Sequence, residues 1–193
     1  MVNEHSDADV ARLNPSLFHK AAKSFPRSPW QAVNPPHRRG TDWGLGTHEA
    51  GVYAFLFPKA EFPTTLTIHL HRGQVTPKGD RHEVVEFVFE PGSVRDLPAG
   101  LFAAYVGRTT DLRRRLRWHF SVSEQTTAAQ VRKGLQDVLN VSRHDTVEFM
   151  RRHATVVFLT DGLSGLENTA NRDILELTLC ARFGTPFNIK AER

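Results

Sequence analysis

The hydrophobic pattern is weak at the start of the chain and sharp thereafter. Through residue 50 it is broken by Pro15, Pro26, Pro29, Pro35 and Pro36 and then by Gly40, Gly44 and Gly46. A short helix around Ser16 to Lys23 fits. The rest reads as an arm that wraps on a domain through Trp30 and Trp43 or stays irregular. From Gly51 the pattern changes. Gly51 to Phe57 is a strand closed by Pro58, and Thr64 to Leu70 is a second. His82 to Phe89 is a third, alternating Val85, Phe87 and Phe89 against Val84, Glu86 and Val88. Gly73, Pro77, Gly79 and Asp80 between the last two predict a long hairpin.

Leu101 to Val106 is a further strand ending at Gly107. Asp111 is placed to start a helix carrying Leu112, Leu116 and Phe120 at four-residue spacing. A helix follows between Thr127 and Leu139, then a strand from Ala154 to Leu159. A last helix runs from about Asn171 to Arg182, stopped by Gly184 and Pro186. The order predicts an α/β (α+β) domain over 51–193: a small central, mostly antiparallel sheet flanked by helices. Insertions are expected at about 58–100, as a hairpin, and at 121–153, as a helical segment. Residues 1–50 form the arm.

The chain of 193 residues suffices for one domain with a sizeable core. Its single cysteine, Cys180, excludes an intramolecular disulfide or a thiolate cluster. The polar, acidic stretch Met1 to Asp9 lacks the apolar run of a signal peptide, and no stretch approaches a membrane span, so a cytoplasmic protein without membrane attachment is expected. Charge becomes informative once located. Residues 1–100 hold 11 Lys/Arg against 11 Asp/Glu, and residues 101–193 hold 14 against 10, so the net +4 lies wholly in the second half. Arg108, Arg113, Arg114, Arg115 and Arg117 face only Asp111. Such a local field suits a polyanion, or marks a solvated helix face.

Three features carry candidate chemistry. In the last helix, Ile174 to Ala181 is apolar nearly all round yet centres on Glu176. A buried carboxylate needs a metal ion, an arginine or an altered protonation state. In the basic helix, Arg115 and His119 share a face, while Arg113 and Arg117 form a second pair suited to phosphate contacts. The only two tyrosines, Tyr53 and Tyr105, sit in strand segments.

In this order the residues resemble the GIY-YIG nuclease superfamily. Gly51-Val52-Tyr53 is similar to its first triplet and Tyr105-Val106-Gly107 to its second. Arg108 through Leu116 is similar to its turn and helix, with the family's arginine, ten residues after the second tyrosine, falling on Arg115 and its histidine on His119. Glu176, followed by Phe187 and Asn188 at eleven and twelve residues, is similar to its downstream motif. Two spacings depart from the pattern: 52 residues separate Tyr53 from Tyr105, and the stretch between Arg115 and Glu176 is long. Restriction enzymes resembling the family carry such insertions.

The resemblance implies an endonuclease that hydrolyses DNA to 5′-phosphate and 3′-hydroxyl ends, plausibly a sequence-specific type II restriction enzyme. Glu176 would hold one Mg²⁺ (or Mn²⁺) ion. Tyr53 would act as general base, Tyr105 would hydrogen-bond the phosphate or the water and assist that step, and Arg115 would neutralise developing charge. His119 would position a phosphate oxygen or share proton transfer, and Asn188 would orient Glu176 or its water. Gly107 would let the backbone approach closely. Double-stranded DNA is the expected partner, gripped by Gly107, Arg108, Arg113, Arg114, Arg117, Arg132 and Lys133; homodimerisation stays open. Further clamp candidates are Arg38, Arg39, His69, His71, Arg72, Lys78, Arg143, His144, Arg151 and Arg152. The alternatives are a repair or structure-selective nuclease, an inactive nucleic-acid-binding protein of the same fold, and an interaction protein whose basic helix meets an acidic partner.

Overall fold

Strand Gly51–Pro58 is apolar at nearly every position, and its alternating side chains enter two different cores. Tyr53, Phe55 and Phe57 point to one side; Val52, Ala54 and Leu56 point to the other. A strand buried on both faces must lie inside a sheet with a layer on each side, and this is the architecture found. The computed structural model describes residues 15–35, 49–74, 81–93, 97–122, 130–160 and 165–188. Trp43, Arg38, Arg39, Lys78, Pro77, Gly79 and Asp80, all singled out in the sequence, lie outside the described residues.

The described elements, in chain order, are α1 (Pro15–Ser24), β1 (Gln31–Val33), β2 (Gly51–Pro58), β3 (Leu66–Gln74), β4 (Arg81–Phe89) and β5 (Leu101–Thr109). They continue with α2 (Leu112–His119), α3 (Gln130–Leu139), α4 (Arg143–His153), β6 (Thr155–Thr160) and α5 (Thr169–Phe183). Strands β1, β6, β2 and β5 form one antiparallel sheet in that order, and β3 and β4 pair separately as a two-stranded hairpin. It is a small mixed α/β fold with a central antiparallel sheet flanked by helices. The hairpin explains the 52-residue gap. It forms a second sheet whose Leu66 and Ile68 pack into the core of Tyr53, Phe55 and Phe57, and it leaves β2 and β5 hydrogen-bonded side by side, with Tyr53 opposite Gly107.

Helices α1 and α5 cover one face, with Leu175, Leu179 and Phe183 meeting Val52, Ala54 and Leu56. The opposite core receives Leu112 and Leu116 of α2, Val131 and Leu135 of α3 and Val147 and Met150 of α4. Part of the first fifty residues joins the fold. Phe25 packs on Phe183, the Trp30 indole N–H donates to the Ala21 carbonyl at 2.9 Å, and β1 pairs with β6.

Helix ends follow local chemistry. The Asp111 side chain accepts from Arg114 N at 2.8 Å to start α2. Gly184, left-handed at φ 57°, ends α5 and donates its N–H to the Cys180 carbonyl. Helix α4 is an addition to the elements expected from the sequence. Its signal is present as Ser142 with Asp145 three residues on: Ser142 Oγ accepts from Asp145 N at 3.2 Å and donates to Asp145 Oδ2 at 2.6 Å.

Candidate active site

Antiparallel pairing places the two tyrosines on the same face of adjacent strands, with ring centroids 6.1 Å apart. Gly107 makes this possible. A Cβ there would lie 2.6 Å from the Tyr53 hydroxyl and 2.7 Å from Tyr105 Cε1, so the two rings occupy the space a side chain would need. Beyond β5 the chain turns at once. Thr109 Oγ1 accepts from Asp111 N and donates to the Asp111 carbonyl, while Leu112 N–H bonds to the Glu49 carbonyl at 2.8 Å. These contacts aim α2 so that Arg115 and His119, one turn apart, both face Tyr53.

The Tyr53 hydroxyl lies 2.8 Å from His119 Nε2 and accepts from Arg115 Nε at 3.1 Å. Tyr53, Tyr105 and His119 are buried, and Arg115 is partly exposed. Burial pushes the Tyr53 hydroxyl well above its ordinary pKa, with the neighbouring Tyr105 adding to the rise and Arg115 opposing it. Burial raises Tyr105 as well; Arg115 opposes, and the charge of Glu176 adds to it. His119 is held well below its ordinary value by burial first, then by the charges of Arg115 and Arg132. Burial works against the charged form of Arg115, but charge and hydrogen bonds from both tyrosines outweigh it and raise its pKa.

At neutral pH the cluster is therefore two phenols, one neutral imidazole and one guanidinium. Since Arg115 donates to the Tyr53 oxygen, that hydroxyl can give its own proton to His119 Nε2 in the tautomer that carries the ring proton on Nδ1, a buried nitrogen with no hydrogen-bond partner among the described residues. Tyr53 is not poised as a phenolate. The neutral base in contact with it is His119.

Glu176 departs from expectation. Helix α5 is not buried all round, for Leu177 is 68% exposed. Its Asp173 and Glu176, three residues apart, both meet the guanidinium of Arg108, with Arg108 Nε 3.2 Å from Glu176 Oε2. Among the described residues, no three His, Cys, Asp or Glu side chains come together in a group that could hold a metal ion. The expected Mg²⁺ or Mn²⁺ ion on Glu176 is thereby overturned. The need of a half-buried carboxylate for a counter-charge is met by arginine, and Glu176 acts on the cluster through its charge on Tyr105. The pairing with Asp173 was missed in the sequence, although an acid three residues before Glu176 on the same helix face was a readable signal.

Asn188 belongs to the turn Pro186–Asn188 and uses both ends of its amide on edge strand β5. Oδ1 accepts from Val106 N at 2.6 Å, and Nδ2 donates to the Val106 carbonyl. It serves the backbone between Tyr105 and Gly107 in place of a neighbouring strand. Of the candidate nucleic-acid contacts, Arg114, Arg117 and Lys133 are exposed and Arg113 is partly so, with Arg114 lying 4.8 Å from the Trp118 ring centroid. Arg108 is engaged with the two acids.

Arg132 does not fit an outward clamp. It is 1% exposed and donates to the Ser121 carbonyl. Arg143 reaches the Val122 carbonyl, and Arg151 is buried against Glu148, while Arg152 and His144 face solvent. For His69, His71 and Arg72 only the backbone pairing of β3 is described. No protein-family model, curated protein or solved structure matches the chain. No described helix is long and apolar enough to cross a membrane.

Proposed function

We propose that this chain is an endonuclease of the GIY-YIG type that hydrolyses a phosphodiester of double-stranded DNA, in the role of a restriction enzyme. One observation carries the reading: Tyr53, Tyr105, Arg115 and His119, drawn from three elements and up to 66 residues apart in sequence, share one cluster in which the Tyr53 hydroxyl touches both Arg115 and His119. Such an arrangement is what a proton relay beside an anion site requires.

A scissile phosphate meets Arg115, the partly exposed member, with its guanidinium on the non-bridging oxygens. Tyr105 donates a hydrogen bond to the same group. The attacking water forms its bond to phosphorus and passes its proton to the Tyr53 oxygen as Tyr53 passes its own to His119 Nε2. The bond from phosphorus to the 3′ oxygen breaks, and that oxygen takes a proton from solvent, leaving 5′-phosphate and 3′-hydroxyl ends. Protonating His119 beside Arg115 is costly in the free protein. An entering phosphate supplies the negative charge that offsets it. Arg113, Arg114, Arg117 and Lys133 lie outside this centre and suit backbone contacts along the duplex.

The test is nicking of supercoiled plasmids of diverse sequence, in buffer with and without Mg²⁺, alongside gel-shift binding, for the wild type and Arg115→Ala. Cleavage should fall by roughly 100- to 1,000-fold in the variant, the scale for removing one preorganised donor, while binding persists. Discrete bands mark a restriction enzyme and cleavage of branched substrates alone marks a structure-selective one. Equal cleavage by both proteins, once contamination is excluded, removes the assignment.

A further inference from the structure

The inserted segment meets the site from behind. Helix α3 is fixed in the core by Val131 and Leu135, and the Phe187 ring packs over Gly134, where a Cβ would collide with it. Between these anchors Arg132 is turned inward and donates to the carbonyl of Ser121. From α4, Arg143 Nη1 reaches the carbonyl of Val122 at 3.4 Å. The two carbonyls are consecutive and lie just past the last turn of α2, two and three residues beyond His119. These are loop carbonyls just beyond the helix, and the partial negative charge of the helix C-terminus favours cations close by. Arg132 is withdrawn from solvent at this point, with Arg143 beside it, so the loop end is held by a buried guanidinium.

We infer that Arg132, backed by Arg143, is a positioning residue that pins the exit of α2 and so holds the His119 ring against the Tyr53 hydroxyl. The inserted helices thus serve the chemistry as well as any contact with DNA. This rests on the reading of Tyr53 and His119 as the proton-handling pair. Among the described residues, the groups facing His119 are Arg115 from its own helix, Tyr53 and Phe55 from β2, Tyr105 from β5 and Arg132 from α3. Arg115 and Arg132 are the cationic ones, and both disfavour the imidazolium. Arg132 therefore also helps keep the imidazole from taking a second proton, and its loss moves His119 protonation to higher pH.

The experiment follows the imidazole signals of histidine-labelled full-length protein by NMR across pH, assigned with His119→Gln, for the wild type, Arg132→Met and Arg132→Lys, each checked for folding. Arg132→Met should shift the His119 midpoint to higher pH and change its tautomer signature, and Arg132→Lys should return the midpoint toward wild type. A folded Arg132→Met with the wild-type midpoint and signature overturns the inference. If that variant does not fold, arginine-labelled wild type decides. Arg132 guanidinium protons shielded from water exchange support the clamp, and protons exchanging as fast as those of the exposed Arg114 overturn it. Absence of cleavage with these NMR results intact would count against the nuclease and not against the clamp.

Discussion

Replacing Gly107 with alanine adds one methyl group at the most crowded point of the site. That Cβ would stand 2.6 Å from Tyr53 Oη and 2.7 Å from both Tyr53 Cζ and Tyr105 Cε1. Carbon contacts settle near 3.5–4.0 Å, so each ring must give way by about 1 Å. Tyr53 cannot do so and keep its bonds of 2.8 Å to His119 and 3.1 Å to Arg115. Overpacking of this kind costs roughly 1–3 kcal/mol, and a stretched hydrogen bond to a charged group about 1.5–3 kcal/mol more. A total near 3 kcal/mol lowers Tm by roughly 6–12 °C for a domain of this size. A 1 Å displacement of reacting groups costs about 100-fold in rate. The assay pairs thermal unfolding with single-turnover cleavage of plasmid DNA. Gly92→Ala is the control, for nothing lies within 4 Å of the Cβ it would add. Wild-type Tm and wild-type cleavage in Gly107→Ala would refute the geometry from which the site is argued.

Two pH experiments read the cluster without any substrate. Both tyrosines of the chain are buried with raised pKa values, so phenolate absorbance should stay absent near pH 10 in the native protein and appear as it unfolds. Between the unfolded pKa and the raised folded ones the native state holds more protons, so stability declines above about pH 10, by about 1.4 kcal/mol per phenol per pH unit. Normal titration of either tyrosine in the folded protein contradicts its placement. His119 has the opposite sign. Its folded pKa is depressed, so below about pH 6.5 the unfolded state takes up a proton the native state refuses, and stability falls with falling pH at up to about 1.4 kcal/mol per unit. Denaturant melts from pH 5 to 8 should show that slope in the wild type and a shallower one in His119→Gln; equal slopes would refute the buried neutral imidazole.

Local signals in the sequence matched the fold closely. Pro58 sits at the end of β2, Asp111 caps α2, and Gly184 takes the left-handed conformation that ends α5. These devices act over a few residues, so the chain states them directly. β5 runs on through Gly107 to Thr109 because the pairing of Gly51 with Thr109 sustains it, a partner no local pattern names. Strand β1 is three residues long and exists through β6, 127 residues away in register at Gln31 and Phe158. The site divides the same way. Spacing alone placed Arg115 and His119 on one face of α2, but their meeting with Tyr53 depends on sheet pairing across the hairpin insertion. Arg132 looked like any cation in a basic segment, and only the packing of α3 turns it inward. Glu176 was legible as an acid needing a partner. That its partner is Arg108 rather than a metal ion depends on α5 crossing β5, which lies beyond periodicity.

Tyr53 is where the water, the guanidinium and the imidazole would meet, and its hydroxyl can be deleted with the ring left in place. The most direct measurement is single-turnover cleavage of a DNA substrate by wild type and by Tyr53→Phe, with folding and DNA binding shown equal and product ends identified. Removing the relay hydroxyl should slow cleavage by roughly 100- to 10,000-fold, the range for a positioned proton-transfer group, with wild-type products ending in 5′-phosphate and 3′-hydroxyl. Cleavage by a folded Tyr53→Phe at the wild-type rate would contradict the account.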